Sequence, residues 1–220
     1  MRVKICGLRE ASHIDVAAQA GAAYIGLVFF AKSPRAVGLD HARALALGAP
    51  AGLSKVALTV DMNDAELDAL VQHVPMDMLQ LNGAETPERV AKVKARTGLP
   101  VMKAVGLRTA EDLTKIDSYT DVADQILVDA KPPPGGDLPG GNGLTFDWRL
   151  IEGHRWPLPW MLAGGLTTEN VGEAVRRTGA TQLDLSSGVE SAPGVKDPAK
   201  IKAFLEAATL AGLHPAPSLG

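Results

Sequence analysis

The sequence predicts an α/β protein, a single (β/α)8 TIM barrel with eight parallel strands, and three observations carry that expectation. Short apolar runs alternate with amphipathic runs of helical spacing along the whole chain, eight of each. Strands that alternate with helices in this way build right-handed βαβ units and therefore a parallel sheet. The 220 residues leave about 27 for each unit, which suits an eight-unit barrel closed within one domain.

The first apolar run, 3–6, leads to a helical segment at 12–20 that Gly21 ends. The second, 24–29, is followed by a helix at 39–47 between Asp40 and Gly48, and the third, 55–60, by a helix at 65–73. The fourth, 78–81, precedes a helix at 87–97. Thr86 and Pro87 supply its cap and first-turn proline, and Gly98 its C-terminal glycine. Strands at 101–105 and 125–129 are followed by helical segments at 110–116 and 146–152. A strand at 160–163 leads to a helix at 169–178 closed by Gly179, and a strand at 182–185 to a last helix at 198–210 opened by Asp197 and Pro198. Residues 1–210 thus read as one barrel domain and 211–220 as a frayed C-terminal tail.

Composition narrows the function. With 22 Lys+Arg against 25 Asp+Glu, the net charge of −3 provides no basic field for nucleic acid or an anionic membrane surface. Any anionic ligand must be met locally. A single Cys cannot build a disulfide framework or a multi-thiolate metal site and fits a reducing compartment. The charged N-terminus is unlike a signal peptide and no apolar stretch approaches a membrane span, so a cytoplasmic location is expected. Apolar residues at the barrel ends fit core and subunit interface equally well.

Period two inside the strands locates the chemistry. Lys4 and Cys6 share one face, as do Gln80 and Asn82, Gln125 and Asp129, and Gln182 and Asp184. The opposite faces carry Val3 and Ile5, Leu79 and Leu81, Ile126 and Val128, and Leu183 and Leu185. In a barrel the apolar face meets the helices and the polar face enters the lumen, whose C-terminal end holds the active site. Cys6, Asn82, Asp129 and Asp184 all fall near that end.

The glycine-rich turn around Gly164 and Gly165 follows the seventh strand, and the small-residue turn at Ser186, Ser187 and Gly188 follows the eighth. These are the positions at which barrels commonly bind phosphate through backbone N–H groups, so a phosphorylated small molecule is the expected ligand. Cys6 is a candidate reactive thiol rather than an inert buried one, although a thiol near its ordinary pKa of about 8.5 requires a cationic or donor-rich setting to ionise at neutral pH. Lys4 is the nearest candidate cation on its face. Asp129, opposite that thiol, is a candidate acid–base partner, with Asp184 and Asp61 as rivals that the sequence does not rank. Arg35, in the loop after the second strand, could grip a carboxylate with its planar fork. The Pro- and Gly-rich stretch 131–143 reads as a long loop over the site.

Together these pieces resemble the phosphoribosylanthranilate isomerases of tryptophan biosynthesis. The matching residues are Lys4 to Gly7, Gly26 to Phe30 with Lys32 to Arg35, Gln80 to Gly83, Gly140 to Gly143 with Phe146 to Trp148, Leu162 to Leu166, and Asp184 with Ser186 to Glu190, in order along nearly the whole chain. The resemblance implies an Amadori rearrangement without metal or organic cofactor. In it Asp129 would act as general acid on the furanose oxygen and Cys6 as general base at C2. Arg35 would hold the anthranilate carboxylate, Gly164, Gly165, Ser187 and Gly188 the phosphate, and Asp184 would line the substrate site. Asn82 stands where many relatives carry a histidine, and Ala31 where a proline is common.

Two other readings remain open at the level of sequence. A histidine-pathway aminoribosyl phosphate isomerase would typically carry an aspartate at the end of the first strand and a two-fold repeat, where this chain has Cys6 and no such repeat. A non-catalytic phosphometabolite-binding barrel would not need Cys6, Asp129 and Arg35 together.

Overall fold

The protein is described from a computed structural model that covers residues 1–130 and 145–213. Strands β1 (Arg2–Cys6), β2 (Tyr24–Val28), β3 (Ser54–Thr59), β4 (Met78–Leu81), β5 (Val101–Leu107), β6 (Gln125–Ala130), β7 (Trp160–Leu162) and β8 (Gln182–Leu185) form a closed barrel in chain order. Every neighbouring pair is parallel, and closure sets Lys4 of β1 opposite Asp184 of β8. The predicted barrel is therefore the observed fold.

The two strand faces separate the core into two layers. Outward residues such as Ile5, Leu27, Leu79, Ile126 and Leu183 pack with Ile14, Leu45, Leu67, Val90 and Phe204 of the surrounding helices. Tyr24, Val56, Met102, Leu127, Met161 and Ala163 form a separate cluster inside the lumen. Burying apolar side chains on both sides explains why these strands are rich in branched and aliphatic residues.

The outer ring contains α1 (Ala11–Gln19), α2 (Leu39–Gly48), α3 (Asp64–His73), α4 (Pro87–Thr97), α5 (Thr114–Asp117), α6 (Val171–Thr178) and α7 (Pro198–Leu213). Thr86 caps α4 by accepting the Arg89 N–H, Asp197 accepts the N–H groups of Ala199 and Lys200 at the start of α7, and Gly98 and Gly179 close α4 and α6 in the left-handed conformation. Helix α3 opens with a reciprocal Asn63 and Glu66 capping box. Asp40 lies in the first turn of α2 rather than at its cap, which is Gly38.

Four segments differ from the sequence expectation. The predicted helix at 110–116 is a 3-10 turn (Ala110–Leu113) followed by the single-turn α5, because the Asp112 carboxylate accepts the N–H groups of Arg108 and Thr109 and winds the chain tightly. The predicted helix at 146–152 is a 3-10 turn, Trp148–Ile151, bounded by Asp147 accepting the Arg149 N–H and by Gly153 at φ +72. After β8 the chain makes an antiparallel hairpin of β9 (Glu190–Ala192) and β10 (Val195–Lys196) that the sequence reading lacks. Helix α7 continues to Leu213, past residue 210 where the sequence reading ends it. The proposed loop over the site at 131–143, with Gly140 to Gly143, lies outside the described residues, as do residues 214–220 of the tail.

Candidate active site

The C-terminal end of β1 sets the site. Lys4 and Cys6 both point into the lumen and are buried, and Lys4 Nζ donates to Asp184 Oδ1 at 2.9 Å across the β1–β8 seam. Burial opposes the Lys4 charge, yet Asp184 and Cys6 outweigh it and hold its pKa above the ordinary lysine value. Burial pushes the Cys6 thiol up, and Lys4 and Lys196 pull against it while Asp184 adds to it. The resting residue is thus a thiol poised between two ammonium groups and one carboxylate.

Space for that thiol comes from the neighbouring strand. A Cβ at Gly26 of β2 would lie 2.8 Å from Cys6 Sγ and 3.2 Å from Lys4 Cε. Glycine at this position therefore lets both side chains stand in the lumen.

Asp129 ends the same kind of run on β6. Its carboxyl is half-buried, and Oδ1 accepts the Ala130 N–H at 2.7 Å. Burial raises its pKa to about 7, the Ala130 N–H opposes the rise, and Asp184 adds to it while Lys4 subtracts. A carboxyl balanced near neutrality is half protonated there, the state a general acid needs. Gly164, at φ +93, closes over this group, since a Cβ there would sit 3.0 Å from Asp129 Oδ1 and 2.9 Å from the Ala130 nitrogen.

The two expected phosphate turns converge. Gly164 and Gly165 both have positive φ, and Asn170 braces their loop by donating to the Gly165 carbonyl and accepting from the Thr167 N–H. Ser187 and Gly188 lie in a 3-10 turn directly after β8, and a Cβ on Gly188 would collide with the carbonyl oxygen of Leu166. Helix α6 starts at Val171, two residues past the expected start at 169.

Other candidates sit differently from their sequence reading. Arg35 is buried, with Nε and Nη2 on the two carboxylate oxygens of Glu190 at 2.7 and 2.9 Å. A desolvated guanidinium needs such a partner. Asp184 serves Lys4 rather than standing open. Asp61 is exposed in a left-handed conformation at φ +47, where Oδ1 accepts the Ala84 N–H and its own N–H donates to Glu85. It braces the β3 and β4 loops. Asn82 accepts from Gln80 Nε2 at 2.9 Å inside the lumen. Sequence reasoning missed Lys196, which reaches the site through strands of three and two residues that carry almost no periodic signal. Among the described residues no cluster of three or more His, Cys, Asp or Glu is arranged to hold a metal ion, and no helix is long and apolar enough to cross a membrane.

Fold and site together define a (β/α)8-barrel enzyme with a thiol and a carboxyl group at the catalytic end of one lumen. The family model for N-(5'-phosphoribosyl)anthranilate (PRA) isomerase matches residues 3–207. An N-(5'-phosphoribosyl)anthranilate isomerase of Cereibacter sphaeroides is 67% identical over 208 residues, covering 94% of this chain and 98% of the relative, and one of Ruegeria sp. is 58% identical over 209 residues, covering 94% and 97%. The crystal structure of phosphoribosyl anthranilate isomerase from Thermotoga maritima superposes with a TM-score of 0.85 at 33% identity, covering 95% of this chain and 98% of that one. A phosphoribosyl anthranilate isomerase in complex with reduced 1-(o-carboxyphenylamino)-1-deoxyribulose 5-phosphate superposes with a TM-score of 0.83 at 31% identity, with the same coverage. The chain belongs to the N-(5'-phosphoribosyl)anthranilate isomerase family.

Proposed function

We propose that Asp129 and Cys6 divide the proton transfers of the reaction this chain catalyses, the isomerisation of N-(5'-phosphoribosyl)anthranilate to 1-(2-carboxyphenylamino)-1-deoxyribulose 5-phosphate in tryptophan biosynthesis. The observation that carries this reading is the placement of a buried thiol and a near-neutral carboxyl around one ion pair, Lys4 with Asp184.

Protonated Asp129 gives its proton to the furanose ring oxygen. The C1–O bond breaks and the anilino nitrogen's electron pair forms the C1–N double bond of an iminium. That cation acidifies the C2 proton. It also brings positive charge beside Cys6, which favours thiolate in the same direction as Lys4 and Lys196. With these charges around it Cys6 releases its thiol proton to solvent, and the thiolate takes the C2 proton while the C2–H electron pair forms the enolamine, neutralising the nitrogen. Loss of the C2 hydroxyl proton and protonation of C1 complete the ketone. Asp184 supports these steps through Lys4.

Arg35 holds the anthranilate carboxylate in this reading, sharing its guanidinium with Glu190. Backbone N–H groups of Gly164, Gly165, Ser187 and Gly188 hold the phosphate. The catalytic unit is the single barrel domain, ended by α7 rather than at residue 210, and the reduced thiol it depends on suits a cytoplasmic setting. The test follows phosphoribosylanthranilate fluorescence on adding purified protein in chelator-containing buffer. Loss of fluorescence at an enzymatic rate is expected, and no turnover would overturn the reading.

A further inference from the structure

Lys196 belongs to the hairpin that the β8 turn leads into, and its surroundings are unusually specific for a lysine. The side chain is buried, and Nζ lies 2.8 Å from the Ser186 carbonyl oxygen, 3.0 Å from Ser186 Oγ and 2.9 Å from Glu190 Oε1. Ser186 Oγ spends its own proton on the Cys6 carbonyl oxygen at 3.0 Å, so it accepts from Lys196. All three contacts of Nζ are therefore acceptors, and only an ammonium has three protons to donate. Three acceptors around Nζ call for the ammonium, while burial pulls its pKa below the ordinary lysine value and Glu190 acts against that fall.

Its counter-charge is shared. Glu190 Oε1 accepts from both Lys196 and Arg35 Nε, Oε2 accepts from Arg35 Nη2 and from the Gly194 N–H, and the two cations hold the carboxylate ionised against its burial. A carboxylate already gripped by a guanidinium fork screens Lys196 only in part. Arg35 in turn lies across Gly7, where a Cβ would be 2.6 Å from its Cδ, so the assembly abuts the residue that follows Cys6.

We propose that Lys196 is a positioning residue of the proton-transfer site: tied to Glu190 and Ser186, it presents a second buried ammonium to Cys6 and locks the carboxylate that seats Arg35 over Gly7. The charged groups facing Cys6 are then Lys4 on its own strand, Asp184 on β8 and Lys196 on β10, with Arg35 and Glu190 behind Lys196 and Asp129 of β6 facing the Lys4–Asp184 pair. The role rests on the reading that Cys6 accepts the C2 proton.

The chain's single cysteine makes the test direct, because protein labelled with 13C at cysteine Cβ gives one resonance whose shift reports thiol ionisation. At the wild-type midpoint pH, Lys196→Met is expected to lower the thiolate-to-thiol ratio about tenfold, and Glu190→Gln, which frees both cations, to raise it by a similar factor. General loosening of the site would move both variants in one direction. Unchanged ratios, or shifts of the same sign, would overturn the inference. If Lys196→Met does not fold, Glu190→Gln decides alone: a rise supports the role and no rise refutes it. Turnover of Cys6→Ser, measured in parallel, tests the base assignment separately. Opposite shifts with near wild-type turnover in Cys6→Ser would remove Cys6 from the reaction while leaving its charge environment as described.

Discussion

Lys4 and Asp184 meet across the seam that closes the barrel, 2.9 Å from Nζ to Oδ1, and this one pair acts on both Cys6 and Asp129. Lys4 stabilises the ionised form of each group, and Asp184 opposes it. Removing either partner leaves the other as an uncompensated charge in a closed lumen, which costs far more than the intact pair contributes. Lys4→Met is accordingly expected to lower the unfolding free energy by about 3–5 kcal/mol, read from denaturant midpoints. The double variant with Asp184→Asn should recover part of that loss, and an unchanged midpoint in Lys4→Met would contradict the assignment.

Asp129 couples stability to pH with a definite sign. Its pKa is raised from 3.8 to about 7 in the fold, so the native state binds this proton more tightly than the unfolded chain. The contribution is present below 3.8 and is lost as pH rises through about 7. Asp129→Asn lacks that loss. Relative to this variant, wild-type stability should fall across the window and be level above it, while kcat of the variant falls by about 10² or more. A pH-independent stability difference would refute the raised pKa.

Gly26 matters for the vacancy it leaves beside Cys6 Sγ, 2.8 Å from where a Cβ would stand. Gly26→Ala is expected to cost about 1–3 kcal/mol through overpacking and to reduce kcat together with it, because the displaced group is the thiol. Thermal unfolding and turnover measured on one preparation check both. Retained turnover would show that Cys6 tolerates displacement.

Arg35→Lys replaces a planar fork with a point charge. KM for the substrate should rise about tenfold or more, from loss of a charged hydrogen bond, with a smaller change in kcat. An unchanged KM would exclude Arg35 from carboxylate binding and assign its ion pair with Glu190 a structural role.

The barrel was legible because eight short apolar runs alternate with helical ones, and in four strands, β1, β4, β6 and β8, a two-residue period that buries Ile5 and Leu183 under the helices turns Lys4, Cys6 and Asp184 inward. Helix type was less legible at Leu113 and Ile116, whose spacing suits an α-helix and a 3-10 turn followed by a single α-turn alike; the Asp112 carboxylate decides between them. The Arg35–Glu190 pair spans 155 positions, and no local pattern announces a contact of that range. Lys196 was hidden for a related reason. It reaches the site only because the three-residue β9 and two-residue β10 turn the chain back, and strands so short leave almost no periodic signal.

The central claim is that a carboxyl and a thiol tuned by one ion pair share the proton transfers, and turnover of Cys6→Ser tests it most directly. Serine keeps the shape and hydrogen bonding but has no group able to ionise at this pH. Followed by the loss of phosphoribosylanthranilate fluorescence at saturating substrate, kcat should fall by about 10² or more while the thermal midpoint stays near that of the wild type. A kcat within a few-fold of the wild type, about the scatter of ordinary surface variants, would contradict the account.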